Sequence, residues 1–400
     1  MSVQQKKNMK LNSLFATFLI FSATSIGVDA FQTLPPRIST LQQQYSSATN
    51  ENVLQRIAHD PTIPLTIRPP SQLNASSPQY DTFEGTLETS HRLADNSYLL
   101  HITAPSNNDS ESILPYKPGH VIALEIKANT ETSGQNPYDR TEKTLKDLEN
   151  NDGWLRAPFT ITRSTKDSFD ILIKVVGDKS YTLAHAPENT PIRFGGKFKV
   201  PIEDGIVESM HKAKEHGGSI DKIVMISTGV GVGPCIGAVE NMLSNQLEND
   251  DPAENLERFR FLYLSKEQAN TAVEFPKVEL LGLYRENEDV VYGTYLTALK
   301  EKFARKFDWQ SILSNYQGRL SSTENMMSYY LCSKGTDFRG ALENTHYHLI
   351  GNGSMVNDFR EGLQKAGVSK DRITEEIYFN HTAKPSEEVV DRIAKAMNQE

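Results

Sequence analysis

The residues best suited to binding chemistry lie in a glycine-rich segment at residues 222–243. An apolar, β-branched run of strand length comes first, a glycine-dense turn follows, and small and apolar residues then recur at helical spacing. The turn contains Thr228, Gly229, Gly231, Gly233 and Pro234. Glycines let backbone N–H groups approach a ligand closely, and a proline suits the first turn of a helix. The pattern therefore predicts a strand, a turn and a helix whose N-terminus suits a pyrophosphate.

The same segment has a simpler interpretation. Its order, Gly-x-Gly-x-Gly-Pro, differs from the common dinucleotide fingerprint, in which the third glycine comes one residue later. A tight strand-to-helix crossover without any ligand would produce the same pattern. The choice between a ligand site and a crossover therefore depends on other segments of the chain.

Composition narrows the class of protein. The chain has 400 residues, of which 38% are hydrophobic and 23% charged, as expected for a globular protein of about two or three domains. Its formal net charge of -9 argues against a general nucleic-acid-binding protein. Its two cysteines, Cys235 and Cys332, are too few for an iron–sulfur cluster and lack the spacing of a zinc site. Redox chemistry would therefore need an organic cofactor or a partner.

The N-terminus has the composition of targeting segments. Lysines precede a short apolar run at 14–21, and small residues precede position 31, so residues 1–30 are predicted to be a signal peptide. The run is too short to span a bilayer, and we expect no stable membrane insertion. Residues 31–79 are rich in Ser, Thr, Gln and Pro, as in a transit peptide followed by a disordered linker. The two segments resemble the bipartite presequence of complex plastids; secretion to the outside or to an endomembrane lumen is the alternative.

Residues 80–205 have the pattern of an antiparallel barrel. Short runs rich in β-branched and aromatic residues alternate with turn formers, at 82–89, 98–102, 121–126 and 169–176. Long helical patterns do not separate these runs, which favours a closed antiparallel sheet. We expect a turn at 118–120, and we expect the polar insert at 129–152 to be mainly a solvated excursion with a short helix.

A second segment of interest, residues 154–164, reads WLRAPFTITRS. A barrel, an aromatic and a hydroxyl residue on a strand, and then a nucleotide-binding α/β unit resemble the ferredoxin–NADP reductase superfamily, which includes the cytochrome b5 reductases. In that family an Arg-x-Tyr-Ser/Thr motif holds FAD, with the aromatic ring beside the flavin and the hydroxyl near its N5. Pro158, Phe159 and Thr160 match the last three positions of the motif, whereas Ala157 stands in place of the arginine.

The resemblance leaves the arginine for the FAD pyrophosphate undecided. Arg156 comes one residue early, and Arg163 comes three residues after Thr160. Because a shift of one residue sends a side chain to the opposite face of a strand, neither is a direct replacement, although a bulge would re-aim Arg163. A guanidinium remains the group suited to a diphosphate. We therefore expect either Arg156 or Arg163 to bind the pyrophosphate.

Further segments match the family in the expected order. Residues 177–182 resemble the segment that opens over the FAD phosphates, which implies cofactor binding by Gly177, Ser180 and Thr182. Hydroxyl and backbone N–H groups at such a position can satisfy phosphate oxygens. Residues 195–197 resemble the turn that ends the barrel, without its proline.

The nicotinamide dinucleotide site is expected after the glycine turn. Residues 259–264 are predicted to be the second parallel strand. Ser265 and Lys266 at its end favour NADP, whereas Glu267 keeps NAD open. Residues 316–320 resemble the short Gly-Arg turn after the third strand of the family.

The C-terminal part supplies the last matches. Residues 347–355 resemble a strand that ends in the family's Cys-Gly-x-x-x-Met turn near the nicotinamide, with Gly351 and Met355 in place and Ile350 at the cysteine position. The terminal strand, 372–378, resembles the family's ending with its Glu-x-aromatic. The chain then continues as a tail, 381–400, whose residues 386–397 are predicted to form a helix that packs on the nucleotide domain or docks a partner.

The resemblance implies a two-domain flavoprotein, an antiparallel β-barrel FAD-binding domain at 80–205 followed by an α/β parallel-sheet NAD(P)-binding domain at 219–380. It implies hydride transfer between NADPH or NADH and FAD, with electrons passed to a protein or small-molecule acceptor that the sequence does not identify. The implied catalytic residues are Thr160, Glu376 and Tyr378. The alternative, favoured by Ala157 and Ile350, is a non-catalytic flavin-binding or regulatory subunit of a plastid redox assembly.

Overall fold

The structure, a computed structural model, describes residues 81–104, 114–128, 136–138, 140, 142–247, 275–317 and 342–398. The predicted signal peptide and transit segment lie outside these residues, as do the predicted strand at 259–264, Ser265, Lys266, Cys332 and the Gly318-Arg319 turn. Across the described part of the chain, no helix is both long and apolar enough to cross a membrane.

The first domain is a closed antiparallel barrel of six strands. The strands are β1 (Thr82–Ala94), β2 (Ser97–Thr103), β3 (Val121–Lys127), β4 (Trp154–Ser164), β5 (Ser168–Lys174) and β6 (Thr190–Gly195). Their order around the barrel is β1-β2-β5-β4-β3-β6, and β6 pairs back onto β1. The antiparallel barrel predicted from the sequence is confirmed.

Alternating side chains fill the barrel. Phe169, Ile171 and Ile173 of β5 are buried in its core together with Leu100 and Ile102 of β2. Successive residues of a strand point to opposite faces, so every second position serves the core. Burial of side chains of this size stabilises the fold by roughly 1.5–3 kcal/mol each. The outward positions of each strand are left for contacts outside the barrel.

The insert between β3 and β4 is less detached than its polar composition predicts. It contains the expected helix, α1 (Glu142–Asn150), but residues before that helix dock on the barrel. Asn136 Nδ2 donates to Asp178 Oδ1 at 2.5 Å, and Arg140 Nε donates to Asp178 Oδ2 at 3.2 Å. The prediction of a mainly solvated excursion is therefore wrong for this part of the insert, because the buried carboxylate of Asp178 draws partners from it.

The second domain is a parallel sheet of five strands in the order β11-β10-β7-β8-β9. Its strands are β7 (Lys222–Thr228), β8 (Lys277–Tyr284), β9 (Phe307–Leu313), β10 (Thr345–Asn352) and β11 (Ile373–Phe379). The other described helices are α2 (Asp178–Ala184) beside the barrel, α3 (Ile202–Glu215) between the domains, α4 (Val232–Leu247), α5 (Gly293–Lys302), α6 (Ser314–Gln317), α7 (Gly353–Ala366) and α8 (Glu387–Met397). Apolar clusters cover both faces of the sheet, as parallel sheets require. The predicted α/β domain is confirmed.

Strand β7 lies at the centre of the parallel sheet. It pairs with β10 on one side and β8 on the other, so β8 and β9 are added on one side of it and β10 and β11 on the other, and the strand order reverses at β7. Ligands of open α/β sheets bind at the carboxyl ends of strands near such a reversal. The described strand that pairs with β7 on this side is Lys277–Tyr284, and the predicted strand at 259–264 lies outside the described residues.

The C-terminal tail forms the predicted helix, α8, against the parallel-sheet domain. Val389, Ile393 and Met397 are buried on its inner face. A side chain at Gly362 of α7 would lie 2.6 Å from Ile393, so the two helices pack closely. Ser386 occupies the N-cap position, where its backbone N–H donates to Asp358 Oδ1 at 2.7 Å. The tail therefore completes the apolar layer under α7.

Candidate functional site

Two expected catalytic residues meet where the domains join. Thr160 points outward from β4, and its hydroxyl donates to Glu376 Oε1 of β11 at 2.5 Å. Both side chains are buried. The residues are 216 positions apart in the chain, so only the packing of the barrel against the sheet brings them together. This contact joins the predicted threonine of the flavin motif to the predicted carboxylate of the terminal strand.

Glu376 is a carboxyl group that titrates near neutral pH. Burial raises its pKa to about 7, against the hydrogen bond from Thr160 and the charge of Lys199, which both lower it. A carboxyl with a pKa in this range can take up or release a proton at neutral pH. The site therefore contains a buried acid–base group whose hydrogen-bond partner is already in place.

Tyr378 completes this group. Its ring is half-buried and packs on the apolar cluster of the sheet. Burial first, and then the neighbouring Glu376, raise the pKa of its phenol well above the usual value, while an interaction with Thr160 opposes the rise. The thiol of Cys235 is free and fully buried, and burial first, then the nearby Glu376 carboxylate, raise its pKa. The junction thus brings together a hydroxyl, a carboxyl, a phenol and a neutral thiol.

The glycine turn forms another side of the site. Thr228 ends β7, Gly229 and Gly231 form a 3-10 turn, and Gly233 and Pro234 lie in the first turn of α4. Thr228 Oγ1 accepts a hydrogen bond of 2.8 Å from the backbone N of Asn352. The predicted strand, turn and helix are therefore present, and the turn is tied to the end of β10.

The turn after β10 requires the glycine that the sequence places there. Gly351 has φ +129°, a conformation that residues with a side chain rarely adopt, and a Cβ at this position would overlap Thr228 Oγ1. Met355 is buried in the first turn of α7. Ile350 is fully buried, and its carbonyl would lie 3.1 Å from a Cβ at Gly231. The two glycine turns therefore approach each other at the carboxyl ends of β7 and β10.

Arg163 is paired with a carboxylate of helix α4. Its Nε and Nη2 donate to Glu240 of α4 at 2.7 and 2.6 Å, and its side chain is only 20% exposed. Although burial opposes its charged form, the Glu240 carboxylate raises the pKa of Arg163. The Nε–Nη2 edge of the guanidinium is therefore occupied by Glu240, and Nη1 lies 3.5 Å from the hydroxyl of Tyr292. Glu240 thus competes with a diphosphate for this arginine, and binding of the pyrophosphate by Arg163 stays a prediction.

Arg156 belongs to a row of alternating charges on the outside of the barrel. Glu84 pairs with Arg193, Arg193 faces Glu125, and Glu125 faces Arg156 across four neighbouring strands. The Nε of Arg156 lies 3.6 Å from Glu125 Oε1. Such cross-strand pairs stabilise a sheet modestly. Arg156 is therefore the more accessible of the two candidate arginines, and it too has a carboxylate neighbour.

The expected phosphate segment begins helix α2. The hydroxyl of Ser180 accepts from the backbone N of Val176 at 3.0 Å and of Gly177 at 3.2 Å, and it donates to the Gly177 carbonyl. Gly177 has an extended backbone that any residue could adopt, and Thr182 is buried. Because Ser180 caps its own helix and Asp178 stands in the first turn, this segment offers less to a diphosphate than the resemblance implies.

Phe159 packs, half-buried, against the core of the barrel. Its neighbours in the sequence therefore divide between core and interface, with Thr160 on the interface side.

Sequence reasoning missed Glu240, Tyr295 and Lys199, which contact or influence the residues it selected. Their sequence contexts carry no motif, so only the contacts reveal them.

Within the described ranges, no group of three or more His, Cys, Asp or Glu side chains is arranged to hold a metal ion. The titratable groups of the junction instead pair with one another or with hydroxyl groups.

When the chain is compared with known proteins, similarity is found to solved structures only. No protein-family model matches the chain, and no curated protein matches it significantly. The CS-b5R domains of human Ncb5or, in an NAD+ form, align with a TM-score of 0.50 and 14% identity over 74% of this chain and 70% of that one. A ferredoxin NADP+ reductase from Neisseria gonorrhoeae with bound FAD and NADP aligns with a TM-score of 0.49 and 14% identity, over 74% of this chain and 99% of that one.

A flavohemoglobin from Malassezia yamatoensis with bound FAD and heme aligns with a TM-score of 0.49 and 14% identity over 74% of this chain. The alignment spans only 60% of the length of that flavohemoglobin. At this level of identity the similarity concerns the fold, a barrel followed by a parallel sheet, and leaves the chemistry to the residues of this chain.

Proposed function

We propose that this chain, which has the two-domain fold of the ferredoxin–NADP reductase superfamily, is a flavin-dependent oxidoreductase that takes a hydride from a nicotinamide dinucleotide and passes electrons to an acceptor. The observation that carries the proposal is the contact between Thr160 and Glu376, with Tyr378 beside them. This contact joins the strand that resembles a flavin motif to the end of the sheet where nucleotides bind in open α/β folds.

The residues at the junction fit the ring system of FAD. A flavin ring needs hydrogen-bonding groups at its polar edge and an aromatic or apolar face, and Thr160, Glu376 and Tyr378 offer these at one place. When bound, FAD would accept a hydride and release electrons singly, which no side chain can do. Thr160 would orient the ring edge, and Tyr378 would cover the ring. The phosphate end would rest on Arg156 and the start of α2, since Arg163 is paired with Glu240.

Glu376 would handle the proton that accompanies the electrons. With a pKa of about 7, its carboxyl is present in both protonation states near neutral pH. Thr160 holds Oε1 of the carboxyl at a fixed distance of 2.5 Å. A positioned carboxyl of this kind contributes roughly 10²–10⁴-fold to proton-transfer rates. Burial also keeps bulk water from exchanging that proton freely.

The choice of nicotinamide rests on the residues that follow β8. Arg285, an exposed residue, comes directly after the strand that pairs with β7, and a guanidinium there suits a 2′-phosphate. Glu286 follows, but its carboxylate accepts a hydrogen bond of 2.7 Å from Asn315 Nδ2. This arrangement supports NADPH over NADH as the electron donor. Ser265 and Lys266, which suggested the same preference, lie outside the described residues.

A spectral titration tests the function directly. Purified protein is expected to show flavin absorbance, and anaerobic NADPH is expected to bleach it faster than NADH does at equal concentration. A dye acceptor is then expected to turn over. Protein that binds neither FAD nor a nicotinamide under these conditions would disprove the proposal.

A non-catalytic flavin-binding subunit is the second candidate. The pairing of both candidate arginines with carboxylates, together with Ala157 and Ile350, favours it. Bound flavin that NADPH does not bleach, and an absence of dye reduction, would support this alternative over the enzyme.

The location that we propose is a complex plastid, with secretion as the alternative. The composition of residues 1–79 supports it. Residues 1–79 fused to a fluorescent protein are expected to direct it to plastids, whereas residues 1–30 alone are expected to direct it only into the secretory pathway. Secretion of both fusions would contradict the plastid proposal.

A further inference from the structure

We propose that Arg163 and Glu240 form a latch that presses the barrel against helix α4 and thereby sets the spacing between Thr160 and Glu376. The inference rests on the proposed function, since it assigns these two residues as positioning residues for the junction. Neither residue is one that the proposed chemistry uses directly.

The geometry of the pair is that of a rigid connection. Nε and Nη2 of Arg163 each donate to a different oxygen of Glu240, at 2.7 and 2.6 Å. Two parallel hydrogen bonds fix the relative orientation of a guanidinium and a carboxylate as well as their distance. The Glu240 side chain is 4% exposed, so water does not weaken the contact.

The latch and the junction share strand β4. Thr160 reaches Glu376 on β11, and three residues later Arg163 reaches Glu240 on α4. Between them, Thr162 lies against the start of α4, where a Cβ at Gly233 would stand 2.8 Å from Thr162 Oγ1. The register of β4 against β5 shifts between Ile161 and Arg163. Thr160, Thr162 and Arg163 still belong to one strand that packs on α4, so a movement of α4 away from Arg163 would also move Thr160 relative to the sheet.

Two tyrosines from a third segment hold the latch. The hydroxyl of Tyr295 on α5 donates to Glu240 Oε1 at 2.6 Å, and the ring of Tyr292 lies 5.2 Å from the guanidinium carbon of Arg163. Tyr292 has φ +59°, a left-handed backbone that is unfavourable for a bulky residue and that persists only where its surroundings impose it. The pair is therefore fixed from the barrel, from α4 and from α5.

A buried ion pair suits positioning better than it suits stability. Removing two charges from water costs about as much as their attraction returns, so a well-packed apolar pair of similar volume is often equally stable. An apolar pair, however, has no preferred angle or register. A bidentate ion pair fixes both the angle and the register, and both are needed to align the barrel with the sheet.

The test compares single and double variants of the full-length protein. Glu240→Gln removes the carboxylate that accepts two hydrogen bonds from the guanidinium and leaves only Asp170 Oδ2, 3.9 Å from Nη1, as its charge partner, so it is expected to lower thermal stability. The double variant, Arg163→Met with Glu240→Met, removes both charges and is expected to unfold at the same temperature as the wild type. Asp391→Asn serves as the control, since it breaks the exposed Lys365–Asp391 pair between α7 and α8.

Alignment is measured on the double variant by flavin binding, by two kinetic quantities and by hydrogen–deuterium exchange. We expect its flavin affinity to be unchanged, its kcat to fall roughly 10-fold because Thr160 and Glu376 are no longer held in register, and the pH midpoint of kcat to move. We also expect hydrogen–deuterium exchange to increase in β11, which contacts neither substituted residue. The control should match the wild type in all four measurements.

A double variant with wild-type kcat, pH midpoint and β11 exchange would overturn the latch, since the pair would then contribute stability alone. If the wild type binds no flavin and turns over no nicotinamide, the proposed function fails. The exchange of β11 in the double variant would still decide the latch.

Discussion

At the residue scale, the main feature of the junction is a carboxyl group with a pKa near neutral. Glu376 is buried, and burial is the main cause that raises its pKa to about 7. Its neighbour Glu375 points the other way and pairs with Arg360 at 3.0 Å. Two adjacent glutamates on one strand therefore have different environments, as alternation along a strand requires.

Because Glu376 is buried and Glu375 is paired with Arg360, we expect only Glu376 to influence how turnover depends on pH. Glu376→Gln keeps an acceptor for Thr160 but cannot release a proton, so we expect kcat to fall roughly 10²-fold and to lose its change near pH 7. Initial rates with NADPH and a dye acceptor between pH 5.5 and about 8.5 would measure it. Glu375→Gln is the matched control and should keep the wild-type profile. Equal profiles for the wild type and Glu376→Gln would exclude a role in proton transfer.

At the element scale, β10 carries a polar feature in the middle of an apolar sheet. His346 Nε2 and His348 Nδ1 both lie 2.9 Å from the hydroxyl of Thr374 on β11, and both rings are buried. Among the described residues, His346 Nδ1 and His348 Nε2 have no hydrogen-bond partner. The methyl group of Thr374 faces Gly205 of α3, so this face of the sheet is covered by the helix that joins the domains.

The two histidines are expected to limit stability in acid. Burial lowers the pKa of His346 to about 3 and of His348 to about 4, so the unfolded chain binds protons below pH 6.5 that the folded chain refuses. The contribution of the two neutral histidines to the free energy of unfolding is complete above pH 6.5. It is lost progressively as the pH falls through their pKa values in the folded protein. For His348 the loss is on the order of 3 kcal/mol.

Urea unfolding of His348→Gln between pH 4 and about 8 tests this, and the variant should show a shallower loss of free energy of unfolding on the acid side. Burial raises the pKa of Glu376 and of Glu203 to about 7, so these groups act in the opposite sense between pH 4.5 and 7. Comparison with the exposed control His211→Gln cancels their effect. A variant whose acid limb is as steep as that of the control would refute the expectation.

At the scale of the whole molecule, the two domains meet through backbone as well as side chains. A Cβ at Gly237 of α4 would overlap the carbonyl oxygen of Thr162 and would lie 2.8 Å from Pro118. Such an approach is open only to glycine. The spacing of small residues along α4, noted in the sequence as helical packing, thus marks the surface on which the barrel rests.

Gly237→Ala is therefore expected to separate the domains while each keeps its fold. The added methyl group cannot be accommodated without moving α4 away from β4, which would break the contact between Thr160 and Glu376. We expect dye-reductase turnover to fall at least roughly 10²-fold with little change in circular dichroism. Gly205→Ala is the control, because its Cβ would make only an ordinary contact of 3.4 Å with Thr374. Full activity in Gly237→Ala would show that the close approach is not required.

The sequence by itself determined the local elements. Alternating apolar residues predicted the barrel strands, and β-branched residues followed by glycines predicted β7 and the start of α4, because these patterns depend on the 2.0 and 3.6 residue periods of strands and helices. The order of the motifs also predicted that Thr160, Glu376 and Gly351 belong to one site. Local patterns failed in the insert, where polar composition concealed the docking on Asp178. The strand predicted at 259–264 lies outside the described residues, and the described neighbour of β7 is Lys277–Tyr284.

Only the tertiary structure decided which side chains are available to a ligand. Arg163 has the right chemistry for a pyrophosphate, yet Glu240, 77 residues later in the chain, occupies its Nε–Nη2 edge. The neutral pKa of Glu376 likewise arises from burial at an interface that no single segment encodes. Charge pairing and desolvation depend on distance in space and not on distance along the chain, which is why the elements were predictable and the partners were not.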